Sequence, residues 1–170
     1  TDSESFISRE ALENVVVWGT QERGPVIGTR FTAFVDVSGG GADSFALGIA
    51  HQEGDIGVLD LVREVKPPLS PEGVIAEFAD TLKAYSVRSV TGDRYGGEFP
   101  REQFRKHGIT YVPSKEPKGA IYLGLLPRLN SGKVRLLGSR RLVNQILGLE
   151  RNTARGGKDS IDHAPGGHDD

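Results

Sequence analysis

The chain has 170 residues, 36% of them hydrophobic, with 23 glycines and 9 prolines, which suits one globular domain with many turns and no low-complexity tract. Zero cysteines exclude a disulfide scaffold and any thiolate metal site, and no apolar stretch approaches the ~20 residues of a membrane span. The net charge of −2 hides a polarised layout: residues 1–100 hold 8 basic and 16 acidic side chains, residues 101–158 hold 13 and 3, and residues 159–170 add 4 acids. Either these charges scatter over the folded surface, or the chain presents a basic face to a polyanion and groups its carboxylates elsewhere. Methionine is absent even at position 1, and the polar start TDSESFISRE is no signal peptide, so an intracellular fragment of a longer protein is expected.

Ser8 followed by REALENVV predicts a short capped helix, and WGTQERGPVIG is irregular. FTAFVDV, SFALGIAHQ and DIGVLDLVREV read as three β-strands joined by the short glycine-bearing segments SGGGAD and EGD, hence an antiparallel start. Ser70 caps a helix with Pro71 at its first position, and Val74, Ile75, Phe78, Ala79 and Leu82 follow at helical spacing to about Tyr85. VRSVTGD is a fourth strand ending at Asp93, PREQFRKHG a short helix closed by Gly108, and ITYVP a fifth strand. KGAIYLGLLPRLNSG predicts a helix ending near Gly132, KVRLL a brief strand, and SRRLVNQILGLER a last helix capped by Ser139. The tail NTARGGKDSIDHAPGGHDD reads as a glycine-rich loop.

This order predicts an α/β fold with a ribonuclease-H-like mixed central sheet, three antiparallel strands and then parallel ones, flanked by helices. Asp36 sits within the first of those strands, between Val35 and Val37, where a charge is costly without a partner. Asp93 ends the fourth strand, which in this architecture neighbours the first, so the two carboxylates can meet. Asp169 and Asp170 close the sequence and offer a third acid. Converging carboxylates repel and favour a hard divalent cation between them, Mg²⁺ above all, and two such ions suit phosphodiester hydrolysis. An Asp at a strand end is also an ordinary turn residue, and Asp43 and Ser44 read as such. SGGGADS lacks the lysine of a phosphate-binding loop and runs into a strand, which argues against a P-loop. An ATP-binding fold of the actin and sugar-kinase kind shares the core topology and stays open as an alternative.

Four stretches together, FVDVSGGGADSFALGIAH, VTGDRYGGEFPREQFRKHGI, YLGLLPRLNSGKVRLL and LERNTARGGKDSIDHAPGGHDD, resemble the C-terminal nuclease domain of tailed-bacteriophage terminase large subunits. They span roughly Thr32 to Asp170. The resemblance implies a metal-dependent endonuclease that cuts concatemeric double-stranded viral DNA with little sequence specificity, in the cytoplasm of the host cell. It implies residues 1–30 as linker and short helix from an N-terminal ATPase domain, and 31–170 as the nuclease domain. Asp36, Asp93 and either Asp169 or Asp170 would hold two Mg²⁺ or Mn²⁺ ions. His168, His163 and Asp162 are expected in the closing loop, with His168 and Asp162 behind the metal ligands. Arg101, Arg105, Lys106, Arg140, Arg141, Arg151, Arg155 and Lys158 are candidate phosphate contacts. Implied partners are DNA, the ATPase domain, a small terminase subunit and a portal, with no membrane. A portal-docking module without cleavage activity is the non-enzymatic alternative.

Overall fold

The computed structural model describes residues 2–37, 44–94, 97–153 and 159–163. In chain order its elements are β1 (Asp2–Ser5), α1 (Arg9–Glu13), β2 (Val16–Val17), β3 (Phe31–Asp36), β4 (Phe45–Glu53) and β5 (Ile56–Val65). There follow α2 (Pro71–Ala84), β6 (Ser89–Gly92), α3 (Glu98–Lys106), β7 (Thr110–Pro113) and α4 (Lys118–Asn130). β8 (Val134–Leu137), α5 (Arg140–Leu147), β9 (Leu149–Thr153) and β10 (Asp159–His163) complete the described residues. The residues form two compact units. One takes those through Gln21, Gly54–Gly57 and the described residues from Glu116 onward; the other takes Glu22–Glu53 and Val58–Lys115.

In the second unit the strand order is β5-β4-β3-β6-β7. β4 lies antiparallel to β3, whereas β6 lies parallel to β3 and β7 parallel to β6. This is the mixed, ribonuclease-H-like sheet that the sequence predicts. Alternation on β3 sorts its side chains: Phe31 and Val35 are buried, while Thr32 and Phe34 are exposed. The buried face meets α2, whose Ser70 hydroxyl accepts a bond from Gly73 N at 3.2 Å and whose Val74, Ile75, Phe78, Ala79 and Leu82 are all buried. Phe104 of α3 and Tyr111 of β7 close the same core. Phe78, only 2% exposed, lies within it, and a side chain of that kind contributes about 1.5–3 kcal/mol by burial.

In the first unit β1, β9 and β10 form a three-stranded antiparallel sheet, with Glu4 opposite Arg151 and Asp162 opposite Glu150. β2 pairs parallel with β8. Ser8 caps α1 and Ser139 caps α5, each hydroxyl accepting a backbone N–H at 3.2 Å. Gly138 follows β8, where a Cβ would strike the Trp18 backbone, so only glycine fits. Lys133 binds Asp55 at 2.6 Å, and the pair is exposed.

Four sequence expectations are corrected. The first helix stops at Glu13, because Val15, Val16 and Val17 are β-branched and Val16–Val17 extend into β2. α3 begins at Glu98, so Pro100 stands in its first turn, where its missing N–H leaves no helical bond unmade. α5 ends at Leu147, capped by Gly148, so Arg151 lies on a strand and not on the last helix. Asp162 and His163 belong to β10, not to a loop; their strand forms by pairing with β9. Among the described residues no helix is long and apolar enough to cross a membrane.

His51 of β4 ties this sheet to pH. Its Nδ1 lies 2.6 Å from the buried Asp60 carboxylate and its Nε2 2.9 Å from Glu53. Burial alone would lower the imidazole's pKa, but the hydrogen bonds to Asp60 and Glu53 and their charges outweigh it, so the value rises above the ordinary 6.5. A raised folded pKa contributes stability fully present below the unfolded value and lost as pH rises through the folded one. Urea unfolding at pH ~6 and ~8.5 is therefore expected to show a loss of stability in the parent that is smaller in His51→Gln.

Candidate metal centre

The parallel pairing of β3 with β6 sets Phe34 opposite Thr91 and Val35 opposite Gly92. Continued by one residue, that register brings Asp36 opposite Asp93. Neighbouring strands stand about 4.8 Å apart, so the two acids occupy adjacent places at the C-terminal ends of parallel strands. Asp36 is half-buried, with its backbone also in register with Ala46 of β4; Asp93 is exposed one residue beyond β6. Two carboxylates brought to ~4 Å repel by about 4 kcal/mol at an effective dielectric near 20. Such a pair suits a hard cation, and all its donor atoms are carboxylate oxygens, which fit Mg²⁺ or Mn²⁺.

Tyr111 registers both charges. Its hydroxyl donates to the Asp93 carbonyl at 2.8 Å. Burial, then Asp93, then Asp36 push its phenol up to about 12, while Arg101 opposes them. The phenol therefore keeps its proton and remains a donor at neutral pH. Its ring stacks on Phe104 at 6.1 Å and 21°. It also lies so close over Gly92 that a Cβ there would collide with it. Neither Tyr111 nor Gly92 stands out as functional in the sequence, although a glycine inside a strand, just before an acid, signals close approach.

Of the expected phosphate contacts, Arg101, Arg105 and Lys106 lie exposed on α3. Arg101 and Arg105 share a helix face at i, i+4, and Arg101 also meets Glu98 at 3.6 Å. It is Arg101 whose charge reaches Tyr111. In the other unit Arg140 stands over the Trp18 ring at 5.7 Å, with Arg141 beside it in α5. Arg151 lies on β9. Arg155, Lys158, His168, Asp169 and Asp170, and Gly39, Gly40, Gly41 and Asp43 of the expected β3–β4 joint, lie outside the described residues. Among the described residues no group of three or more His, Cys, Asp or Glu side chains is arranged to hold a metal ion; the pair is Asp36 and Asp93.

No family model and no curated protein sequence matches the chain. Solved structures do. The large terminase nuclease from thermophilic phage G20c superposes with a TM-score of 0.78 at 12% identity, covering 94% of this chain and 89% of that one. The Thermus phage P74-26 large terminase nuclease domain gives 0.75 at 10% identity, over 98% of this chain and 89% of that one. The HK97 bacteriophage large terminase gives 0.73 at 17% identity, over 95% of this chain but only 40% of its own. The G20c nuclease has also been solved with bound magnesium, and the Sf6 gp2 nuclease domain with manganese. The fold of this chain is that of the large-terminase nuclease domains.

The Gly92–Tyr111 contact carries a prediction. Gly92→Ala forces a buried ring, held between Gly92 and Phe104, to move, which is expected to destabilise the protein by about 1–3 kcal/mol. Chemical denaturation compared with the parent measures it.

Proposed function

We propose that this chain is the nuclease domain of a phage DNA-packaging terminase, a metal-dependent endonuclease that hydrolyses double-stranded DNA with little sequence specificity. One observation supports the reading: β3 and β6 pair in parallel with Val35 opposite Gly92, and the next step of that register sets Asp36 opposite Asp93. The polarised charge and the exposed basic face of α3 support it. Asp36, Asp93 and either Asp169 or Asp170 are the residues that would hold divalent cations. When bound, such ions would supply the positive charge that activates water and stabilises the leaving oxygen of a phosphodiester. Asp36 and Asp93 supply the negative charge that recruits them and fix their place at the strand ends. Arg101, Arg105 and Lys106, with Arg140, Arg141, Arg151, Arg155 and Lys158, are the side chains that would hold phosphates of the duplex. Such contacts position DNA without reading bases, so cleavage would be salt-sensitive and nearly indifferent to sequence.

Residues 31–170 carry this chemistry in the proposal, with residues 1–30 leading from an ATPase domain. The wider reading places the domain in the host cytoplasm, working on concatemeric DNA with a small subunit and a portal. The HK97 large terminase, of which the chain spans 40%, is consistent with a longer whole.

Plasmid nicking in Mn²⁺ tests the reading. Asp36→Asn and Asp93→Asn are each expected to cut at least ~100-fold more slowly than the parent, because each removes a charged ligand of the proposed centre. Equal cutting by parent and variants contradicts it. Reversing charge at Arg101 and Arg105 together is expected to weaken DNA binding across unrelated sequences alike and to flatten its salt dependence, as measured by fluorescence anisotropy.

A further inference from the structure

We propose that Tyr111 is a positioning residue for Asp93: its hydroxyl, laid across Gly92, holds the Asp93 peptide and so aims the carboxylate toward Asp36. The inference rests on the reading of Asp36 and Asp93 as metal ligands. Asp93 stands where the sheet stops guiding the chain. The last β6–β7 pair is Gly92 with Pro113, and proline has no N–H to donate onward. Ser114 N bonds the Gly92 carbonyl at 2.7 Å. The next carbonyl along, that of Asp93, is taken by a side chain, the Tyr111 hydroxyl at 2.8 Å.

Reaching that carbonyl demands a particular fit. Tyr111 stands opposite Val90 in the ladder, two residues before Gly92. Its ring must therefore cross Gly92 to reach Asp93, and a side chain at position 92 would block it. Glycine at 92 and tyrosine at 111 are a matched pair. Only 5% of Tyr111 is exposed, and Phe104 stacks on its ring, so the hydroxyl is held in place. Fixing the peptide that follows the Asp93 Cα limits the directions its side chain can take. Partners that orient a ligand in this way commonly change metal affinity by about 10–100-fold when removed.

Tyr111→Phe removes the hydroxyl and keeps the ring. Calorimetric titration of Mn²⁺ into the parent, Tyr111→Phe, Gly92→Ala and Asp36→Asn, each checked for cooperative unfolding, separates the possibilities. Both Tyr111→Phe and Gly92→Ala are expected to bind Mn²⁺ about tenfold more weakly, one by losing the hydroxyl and the other by displacing it. Hydrogen exchange without metal is expected to quicken at the Arg94 amide in Tyr111→Phe and to stay unchanged at Val90. A Tyr111→Phe affinity within about twofold of the parent, while Asp36→Asn loses binding, overturns the positioning role and leaves the metal site standing. A parent that binds no Mn²⁺, or Asp36→Asn binding as well as the parent, overturns the metal reading and this inference with it.

Discussion

The pairing of β3 with β6 is the constraint on which the proposed metal site depends. Both strands run parallel and in a register that leaves Asp36 and Asp93 level at their C-terminal ends. A shift of one residue would turn one acid to the opposite face, because side chains alternate with a period of two. The register is held by a one-sided core. Val35 and Val90 are fully buried on one side of the sheet, beneath α2, while Phe34 is left exposed on the other. Burial of the apolar set thus decides where the charged pair ends up.

Two polar arrangements in this unit reinforce that frame by different means. At Asp93, where the ladder ends, a tyrosine reaches over a glycine to take the last carbonyl. At His51, a histidine joins the buried Asp60 to Glu53 on neighbouring strands. A carboxylate as deeply buried as Asp60, 1% exposed, is costly to strand without a partner, and His51 supplies one. The first arrangement touches the candidate site and the second does not, so metal affinity should respond to substitutions in the first and not to those in the second.

Much of this was legible in the residues alone. The helix of Pro71–Ala84 announces itself through Ser70, Pro71 and five apolar positions, and all five are buried. The neighbouring strands that carry Asp36 and Asp93 were also expected, because the ribonuclease-H-like order sets the first and fourth of those strands side by side; the metal role of the two acids is the proposal above. What escaped was non-local. β1 and β9 pair residues about 150 positions apart, and neither DSES nor LERNT carries apolar alternation that would reveal a strand. Their extended form depends on a partner, which is context rather than propensity. Tyr111 escaped for a similar reason: in ITYVP it reads as an ordinary strand aromatic, and its role emerges only when Gly92 is seen beneath its ring. The fold is shared with nuclease domains of phage large terminases at 10–17% identity in the structures compared above.

A crystal of this chain soaked in Mn²⁺ addresses the central claim most directly. The account predicts anomalous density between the Asp36 and Asp93 carboxylates at the ends of β3 and β6. Density at other residues, with none between those two, would contradict it.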